Sequence, residues 1–277
     1  MTRPHFAASG RRSTRASARS RPNGAAATTT RPARSAFTLV ELLVVIGIIA
    51  LLISILLPTL TKARRQANGV SCLNNLRQMS VAQQLYANDQ DGWLVQAGLG
   101  HGAGDAHEEI AWIETLNAYV GQSLVNRCPE DFSPHWTEGE PLSSGVDVDE
   151  DHPKFRRTSY GINNYLSAEV APPSAYGRFL KLGGVPNSSA VVQFLEMAYV
   201  GEYAAADHPH VNSWSAVVPY SSAAKMLQIN AHGEPAAPPA WDNVANWSFL
   251  DGHAERLTFR DVHVSHQSNH FNPDVAK

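Results

Sequence analysis

From Phe37 to Leu57 the chain is apolar at nearly every position, and its single charge is an acid near the start, Glu41. Residues 37–57 number 21. At about 1.5 Å per residue they cover roughly 30 Å, the depth of a bilayer's hydrocarbon core, so the run predicts a membrane-spanning helix. The pattern then becomes one-sided. Ala63, Ala67, Val70, Leu73, Leu76 and Met79 recur at steps of three or four, with Lys62, Arg65, Asn68, Asn74, Gln78 and Gln84 between them. This is an amphipathic continuation of the same helix. Pro58 is expected to kink it without ending it, because the period resumes at once. The turn formers Asn88-Asp89-Gln90-Asp91-Gly92 mark its end. One helix from about Phe37 to about Asn88 follows.

Beyond the helix the pattern is mixed. Ala111–Val120 has apolar residues at helical spacing, with Gly121 as a stop. Pro129–Pro153 holds eight acids, four prolines and no Lys or Arg, and reads as a solvent loop. Ala190–Met197 is rich in β formers and reads as a strand. Val244–Leu250 and His253–Phe259 flank Asp251-Gly252, and predict a hairpin whose two-residue turn takes positive φ at both positions. His253, Glu255 and Leu257 then share one face of the second strand, and Ala254, Arg256 and Thr258 the other. The fold class is α+β, a long N-terminal helix packed on a small antiparallel sheet domain. Four regions are expected: a disordered leader at 1–36, the spanning segment at 37–57, its amphipathic continuation at 58–88 and an exported domain at 89–277.

Charge orients this arrangement. Residues 1–36 carry eight Arg and no acid, and are otherwise mostly Ala, Ser, Thr and Pro. Such a segment cannot bury a core. Its positive charge outweighs Lys62, Arg64 and Arg65 on the far side of the span, which predicts a single-pass protein with its N-terminus in the cytoplasm. The chain's net charge is −3, so the part outside the leader carries about −11. That balance argues against nucleic acid as a partner. In an exporting compartment Cys72 and Cys128 are free to form a disulfide. Two buried, unpaired thiols are the alternative, because sequence alone does not bring their Cα atoms within reach.

An acid at the mouth of an apolar span is costly and needs a reason. Ala36-Phe37-Thr38-Leu39-Val40-Glu41, running into Leu42–Leu57, resembles the N-terminal cleavage and methylation motif of type IV pilins and type II secretion pseudopilins. The resemblance implies a cut between Ala36 and Phe37 by a prepilin peptidase and methylation of the Phe37 amine. It implies that Glu41, at the fifth mature position, guides assembly. The family usually has Gly before the cut; here Ala36, also small, stands there. The competing readings are an ordinary signal peptide and an unprocessed anchor. No good cleavage site follows Leu57, which disfavours the first. Further along, Cys72–Gln78, Leu85–Gly92, Arg127-Cys128-Pro129, Ser159–Tyr165 and Asn246–His253 resemble pseudopilin-like proteins of planctomycete-type bacteria. In that group a His precedes an Asp-Gly by nine residues; Trp241 occupies the His position here, ahead of Asp251-Gly252. The resemblance implies the bacterial inner membrane as the location. The implied partners are the prepilin peptidase, copies of the chain and other pseudopilins, the inner-membrane assembly machinery and the lipid bilayer.

No motif demands a cofactor. His208, His210, His253, His263, His266 and His270 lie in the last third with Asp207, Glu196 and Asp251, but without the tight spacing of a zinc site. Asp147–Asp151 begins like a calcium loop and then departs from it at His152 and Thr158. Calcium is carried only by analogy with pseudopilins that hold it distally, at ligands unknown, and the metal site is likewise unknown. No hydrolase or phosphate-loop signature is present. The resulting expectation is a structural, non-enzymatic subunit of a secretion pseudopilus or pilus-like fibre. The alternative is a membrane-tethered domain that binds or hydrolyses a polymer such as a polysaccharide, with Trp214, Tyr220, Trp241 and Trp247 as a stacking surface. Glu41 separates the two, since a plain anchor has no use for it. Asp251 and Gly252 are expected to serve the turn alone.

Overall fold

The computed structural model describes residues 38–98, 112–119, 126–136, 155–168, 170–233 and 237–277. They divide into two units, one ending at Leu52 and one comprising Ile53–Lys277. Helix α1 runs unbroken from Leu39 to Asp89, through Pro58. The hydroxyls of Thr59 and Thr61 donate to the carbonyls of Leu56 and Leu57, at 2.8 and 2.9 Å, in the turn around the proline. At the far end the Gly92 amide reaches back to the Ala87 carbonyl at 2.7 Å, and Asp91 takes φ 50°. That is a Schellman closure in which Asp occupies the left-handed position Gly usually fills. The segments at 1–36 and 137–154, the Ala36–Phe37 junction and Gly121 lie outside the described residues.

Within the second unit, α1 buries Gly69, Cys72, Asn75, Leu76, Met79, Ser80, Ala82, Gln83 and Ala87. This face is rotated from the one the apolar period indicates. Val70, Val81 and Leu85 are exposed, while Asn75 and Gln83 point inward. Asn75 and Gln83 each find a partner through one atom, while the Ser80 hydroxyl and Gln83 Nε2 are buried without one. Asn75 Nδ2 donates to the Tyr160 hydroxyl at 2.9 Å, and Gln83 Oε1 accepts from the Val95 amide at 3.1 Å. A paired polar group costs little to bury, and small Gly69 and Cys72 let the domain approach.

The domain adds a six-residue α2, Trp112–Asn117, and two short helices, α3 at Pro219–Ala223 and α4 at Phe259–Val262. Among the described residues its strands form three small antiparallel pairs. β1 (Tyr160–Ile162) pairs with β2 (Phe194–Glu196), β3 (Val244–Ser248) with β4 (Ala254–Thr258), and β5 (His263–Ser265) with β6 (Ser268–Asn269). The Gln193 amide donates to the Ser248 carbonyl at 2.7 Å and links the first two pairs. The strand expected over 190–197 shrinks to three residues, because Val192 and Met197 bridge instead to Phe249 and Leu227. One apolar cluster, containing Leu76, Met79, Trp112, Tyr160 and Phe194, lies against α1. A second gathers Trp214, Trp247, Phe259 and Phe271.

Two further expectations are corrected. Pro129–Pro153 is not wholly a solvent loop, because Asp131 and Ser133 are buried. The Asp131 carboxylate accepts from Arg156 Nε at 2.7 Å and from the Ser159 hydroxyl at 2.5 Å, with both ion-pair side chains fully buried. The hairpin turn is not a two-residue type I′ turn. The register ends at Ser248 opposite Ala254, and the Phe249 amide donates to the His253 carbonyl at 2.9 Å. Gly252 N–H donates to the Phe249 carbonyl at 3.0 Å and takes φ 102°, whereas Asp251 stays at negative φ. A turn over Phe249–Gly252 that ends on a positive-φ Gly leaves Leu250, Asp251 and Gly252 as the loop, the three-residue hairpin solution.

Candidate functional site

The N-terminal turn of α1 is built from Thr38 and Glu41. Thr38 donates its amide and its hydroxyl to Glu41 Oε2, at 2.9 and 2.8 Å, and its hydroxyl oxygen accepts from the Glu41 amide at 3.2 Å. This reciprocal pair is a capping box, and Thr-x-x-Glu ahead of an apolar run is its sequence signature. Behind it, Leu39 through Leu60 present apolar side chains that are exposed throughout. None of this apolar stretch is buried within the chain. Leaving so many Leu, Ile and Val side chains in water is unfavourable by tens of kcal/mol, at about 25 cal/mol per Å². This helix is long and apolar enough to cross a membrane. The acid lies at the mouth of this surface, exposed, with its carboxylate held by the cap.

Further along α1, Cys72 is disulfide-bonded to Cys128, with Cα atoms 5.2 Å apart. The bond closes a loop of 56 residues, which the chain-entropy account values at about 4 kcal/mol. The helix is also tied to the domain by Arg77 to the Ala254 carbonyl at 3.3 Å, Gln84 to the Leu250 carbonyl at 2.5 Å, and Asn246 to the Gly69 carbonyl at 2.9 Å. The hairpin turn thus docks on the helix through its backbone. Asp251 Oδ1 accepts from the His253 amide at 3.0 Å and lies 2.5 Å from His253 Nδ1, which fixes the turn.

The histidine-rich last third does not converge on one site. His208 pairs with Asp207 at 2.9 Å and His253 with Asp251, while Glu196 turns to His232, outside the predicted set, at 2.8 Å. His263 is buried between Trp214 and Phe259, with no hydrogen-bond partner on either nitrogen, and burial together with neighbouring His266 lowers its pKa to about 4. The proposed stacking surface is also dispersed. Trp214 and Trp247 are core residues. Trp241 is partly buried, packed on Tyr220 and Phe259, with the Arg260 guanidinium over its ring at 5.2 Å. The Asp147–Asp151 segment lies outside the described residues.

Two groupings escaped the sequence reading. One is the Arg156–Asp131 pair. The other is a buried set of Cys72, Cys128, Glu196 and His232, whose candidate ligand atoms lie within 4.8 Å of one another. Its four members come from separate segments, so no spacing announces it. Gly69, isolated inside a helical pattern, was the one available signal of a close approach. A Cβ there would sit 3.2 Å from His232 Nδ1.

With this geometry in view, the comparisons bear on the helix. The prokaryotic N-terminal methylation motif matches residues 31–57. The N-terminus is pilin-like. The chain is 40% identical over 57 residues to the type IV wide pilus major component PilA4 of Thermus thermophilus. That match covers 21% of this chain and 44% of the pilin, so the chain spans less than half the length of the relative it matches. No solved structure matches the chain.

Proposed function

We propose that this chain is a structural pilin-like subunit, cut between Ala36 and Phe37, methylated on the Phe37 amine, and assembled with other copies through α1. The observation that carries this reading is a fully exposed apolar helix with a lone carboxylate at its mouth, inside a matched methylation motif. A membrane stores the helix before assembly, and neighbouring helices replace the lipid afterwards. Both environments remove the same apolar surface from water. Glu41 is the one group in this stretch able to pair with a positive charge. In a low-dielectric setting the amine of a neighbouring subunit's first residue is its natural partner. The basic leader holds the N-terminus in the cytoplasm, and the domain beyond α1 faces the periplasm or the exterior. Its role there is mechanical, as part of a type II secretion pseudopilus or a pilus-like fibre, with the prepilin peptidase and inner-membrane machinery as partners.

The capping box supplies a competing role for Glu41, and one experiment separates the two. Glu41→Ala removes both the cap and the charge. Thr38→Ala removes the cap donor and keeps the carboxylate, at about 1 kcal/mol of local helix stability. Assembly predicts that Glu41→Ala inserts normally but loses its cross-linked oligomer ladder in membranes, while Thr38→Ala retains it. Equal ladders for Glu41→Ala and wild type defeat the filament reading. N-terminal mass spectrometry of membrane-extracted chain should find methylated Phe37, and a mature start near Thr61 or beyond would mean an ordinary signal peptide.

A further inference from the structure

We infer that Cys72, Cys128, His232 and Glu196 form a zinc site once the disulfide between the cysteines is reduced. Two sulfurs, an imidazole nitrogen and a carboxylate oxygen lie mutually within 4.8 Å, and all four residues are buried. In a tetrahedral zinc centre neighbouring ligand atoms stand roughly 3.3–3.8 Å apart, given Zn–S near 2.3 Å and Zn–N or Zn–O near 2.0 Å. The widest separations close by about an ångström, while the two sulfurs, bonded to each other until reduction, and the His232 Nε2–Glu196 Oε1 pair at 2.8 Å move apart. Thiolate with imidazole and carboxylate suits zinc and disfavours calcium or magnesium, which want oxygen donors. Four protein ligands leave no open position, so the site is structural and not hydrolytic.

The surroundings point the same way. His232 Nε2 faces Glu196 Oε1 at 2.8 Å, while buried Nδ1 has no hydrogen-bond partner. The imidazole is therefore kept against the carboxylate and α1 without its own polar contacts being complete. The backbone N–H of Asn246 donates to the other Glu196 oxygen at 3.3 Å and orients the carboxylate, the task of a residue behind a ligand. Gly69 gives up about 1 kcal/mol of helix propensity against Ala. In its place there is room for the imidazole against the helix, one turn before Cys72. His232 also lines a cleft of about 500 Å³ with Lys62, Arg65 and Arg256. Two thiolates and one carboxylate around a divalent ion leave a net charge of −1, and these cations offset it.

The disulfide and the metal are alternative occupants of one place. A dithiol supplies two electrons and two protons. The Cys72–Cys128 bond breaks, the reductant's own sulfurs join, and two thiols remain. Zinc then displaces both thiol protons to water and ties α1 to the domain at the point where the covalent bond did. Reduced chain without metal loses the cross-link, and reduced chain with zinc recovers it.

The test uses the full chain in detergent, reduced by a phosphine that is converted to its oxide, with zinc and cobalt as the probes. Reduced wild type should take up one ion per chain, show the thiolate-to-cobalt charge transfer and tetrahedral d–d bands of the cobalt form, and melt higher with zinc than without. Oxidised wild type should do none of these. X-ray absorption of the zinc form should count two sulfur and two nitrogen or oxygen neighbours. Glu196→Gln and His232→Gln should each weaken zinc about tenfold or more. Binding by oxidised chain, no uptake by reduced chain, or a coordination shell of sulfur alone would each overturn the site. The wild-type coordination count decides even if a variant fails to fold.

Discussion

Asp131→Ala should be among the most damaging single changes in the domain. Arg156 is fully buried and spends its donors on Asp131 through Nε, and on the carbonyls of Ala198, Ala204 and Met197 through the two Nη groups. Its planar group also lies near the rings of Trp136 and Tyr199 at 5.7 and 5.6 Å. Removing Asp131 leaves the guanidinium in place with no counter-charge, a loss of about 3–5 kcal/mol. It also frees the Ser159 hydroxyl and the Ser133 amide, which bonds Asp131 Oδ1 at 2.9 Å. Asp131→Asn keeps one acceptor oxygen, for Arg156 Nε and the Ser159 hydroxyl, but forfeits the charge and the acceptor of the Ser133 amide, so it should cost less than Ala and still about 2 kcal/mol. Pairing Asp131→Leu with Arg156→Met tests the origin of the effect. An ion pair that only offsets its own desolvation would be replaced at little cost. Here three carbonyls lose their donor at the same time, so the double variant should stay about 3 kcal/mol below wild type. Urea unfolding of the detergent-solubilised chain, followed by tryptophan fluorescence with Trp136 beside the pair, gives the numbers. Asp131→Ala within about 0.5 kcal/mol of wild type would refute the reasoning.

His263→Phe should leave stability at neutral pH unchanged or about 1 kcal/mol higher, because it removes two unpaired nitrogens from an aromatic pocket. With the folded pKa of His263 near 4 and the ordinary value at 6.5, the unfolded chain takes the proton first. Stability should therefore fall as pH drops from about 6.5 to about 4, by up to roughly 3 kcal/mol. Melts across that window should show a flatter slope for His263→Phe than for wild type. Gly252→Val should cost about 2 kcal/mol through φ 102° alone, since no atom lies within 4 Å of a Cβ placed there. Asp251→Asn should be nearly silent with or without a chelator, as Asn can still accept from the His253 amide; a calcium-dependent melting shift lost in that variant would speak for a distal metal instead. Asp91→Gly should raise the midpoint of unfolding by relieving the left-handed strain at φ 50°, worth about 1 kcal/mol.

What the sequence revealed and what it hid divide along the range of the interactions involved. The apolar run and the helix end at Asp91-Gly92 depend on neighbours a few residues away and are legible in local spacings; the Thr38–Glu41 cap is equally local, though the sequence reading assigns Glu41 to the motif alone. The matched methylation motif belongs to the same local class. The rotated face of α1 does not, because it is chosen by the domain. Val70 fits the apolar period and is left outside, as are apolar Val81 and Leu85, while Asn75 and Gln83 are drawn in by Tyr160 and Val95. The hairpin turn shows the same limit on a smaller scale. Asp-Gly fits two turn geometries, and the choice rested on Phe249 bonding His253 and on Leu250 giving its carbonyl to Gln84 of the helix.

The buried charges carry this furthest. An acid in a stretch without Lys or Arg reads as solvent-facing, and Asp131 was buried all the same, because one guanidinium from Arg156 met it while satisfying three backbone carbonyls. Glu196 and His232, 36 positions apart, meet beside two cysteines set apart by 56. Composition cannot anticipate such meetings, since the cost of burying each group is offset only by partners the fold delivers. That cost is also why such clusters merit a functional question. A domain whose task was only to pack against a helix could do so with apolar contacts alone. This one places a carboxylate, an imidazole and two sulfurs at the contact, where any change in their bonding alters how firmly the helix is held.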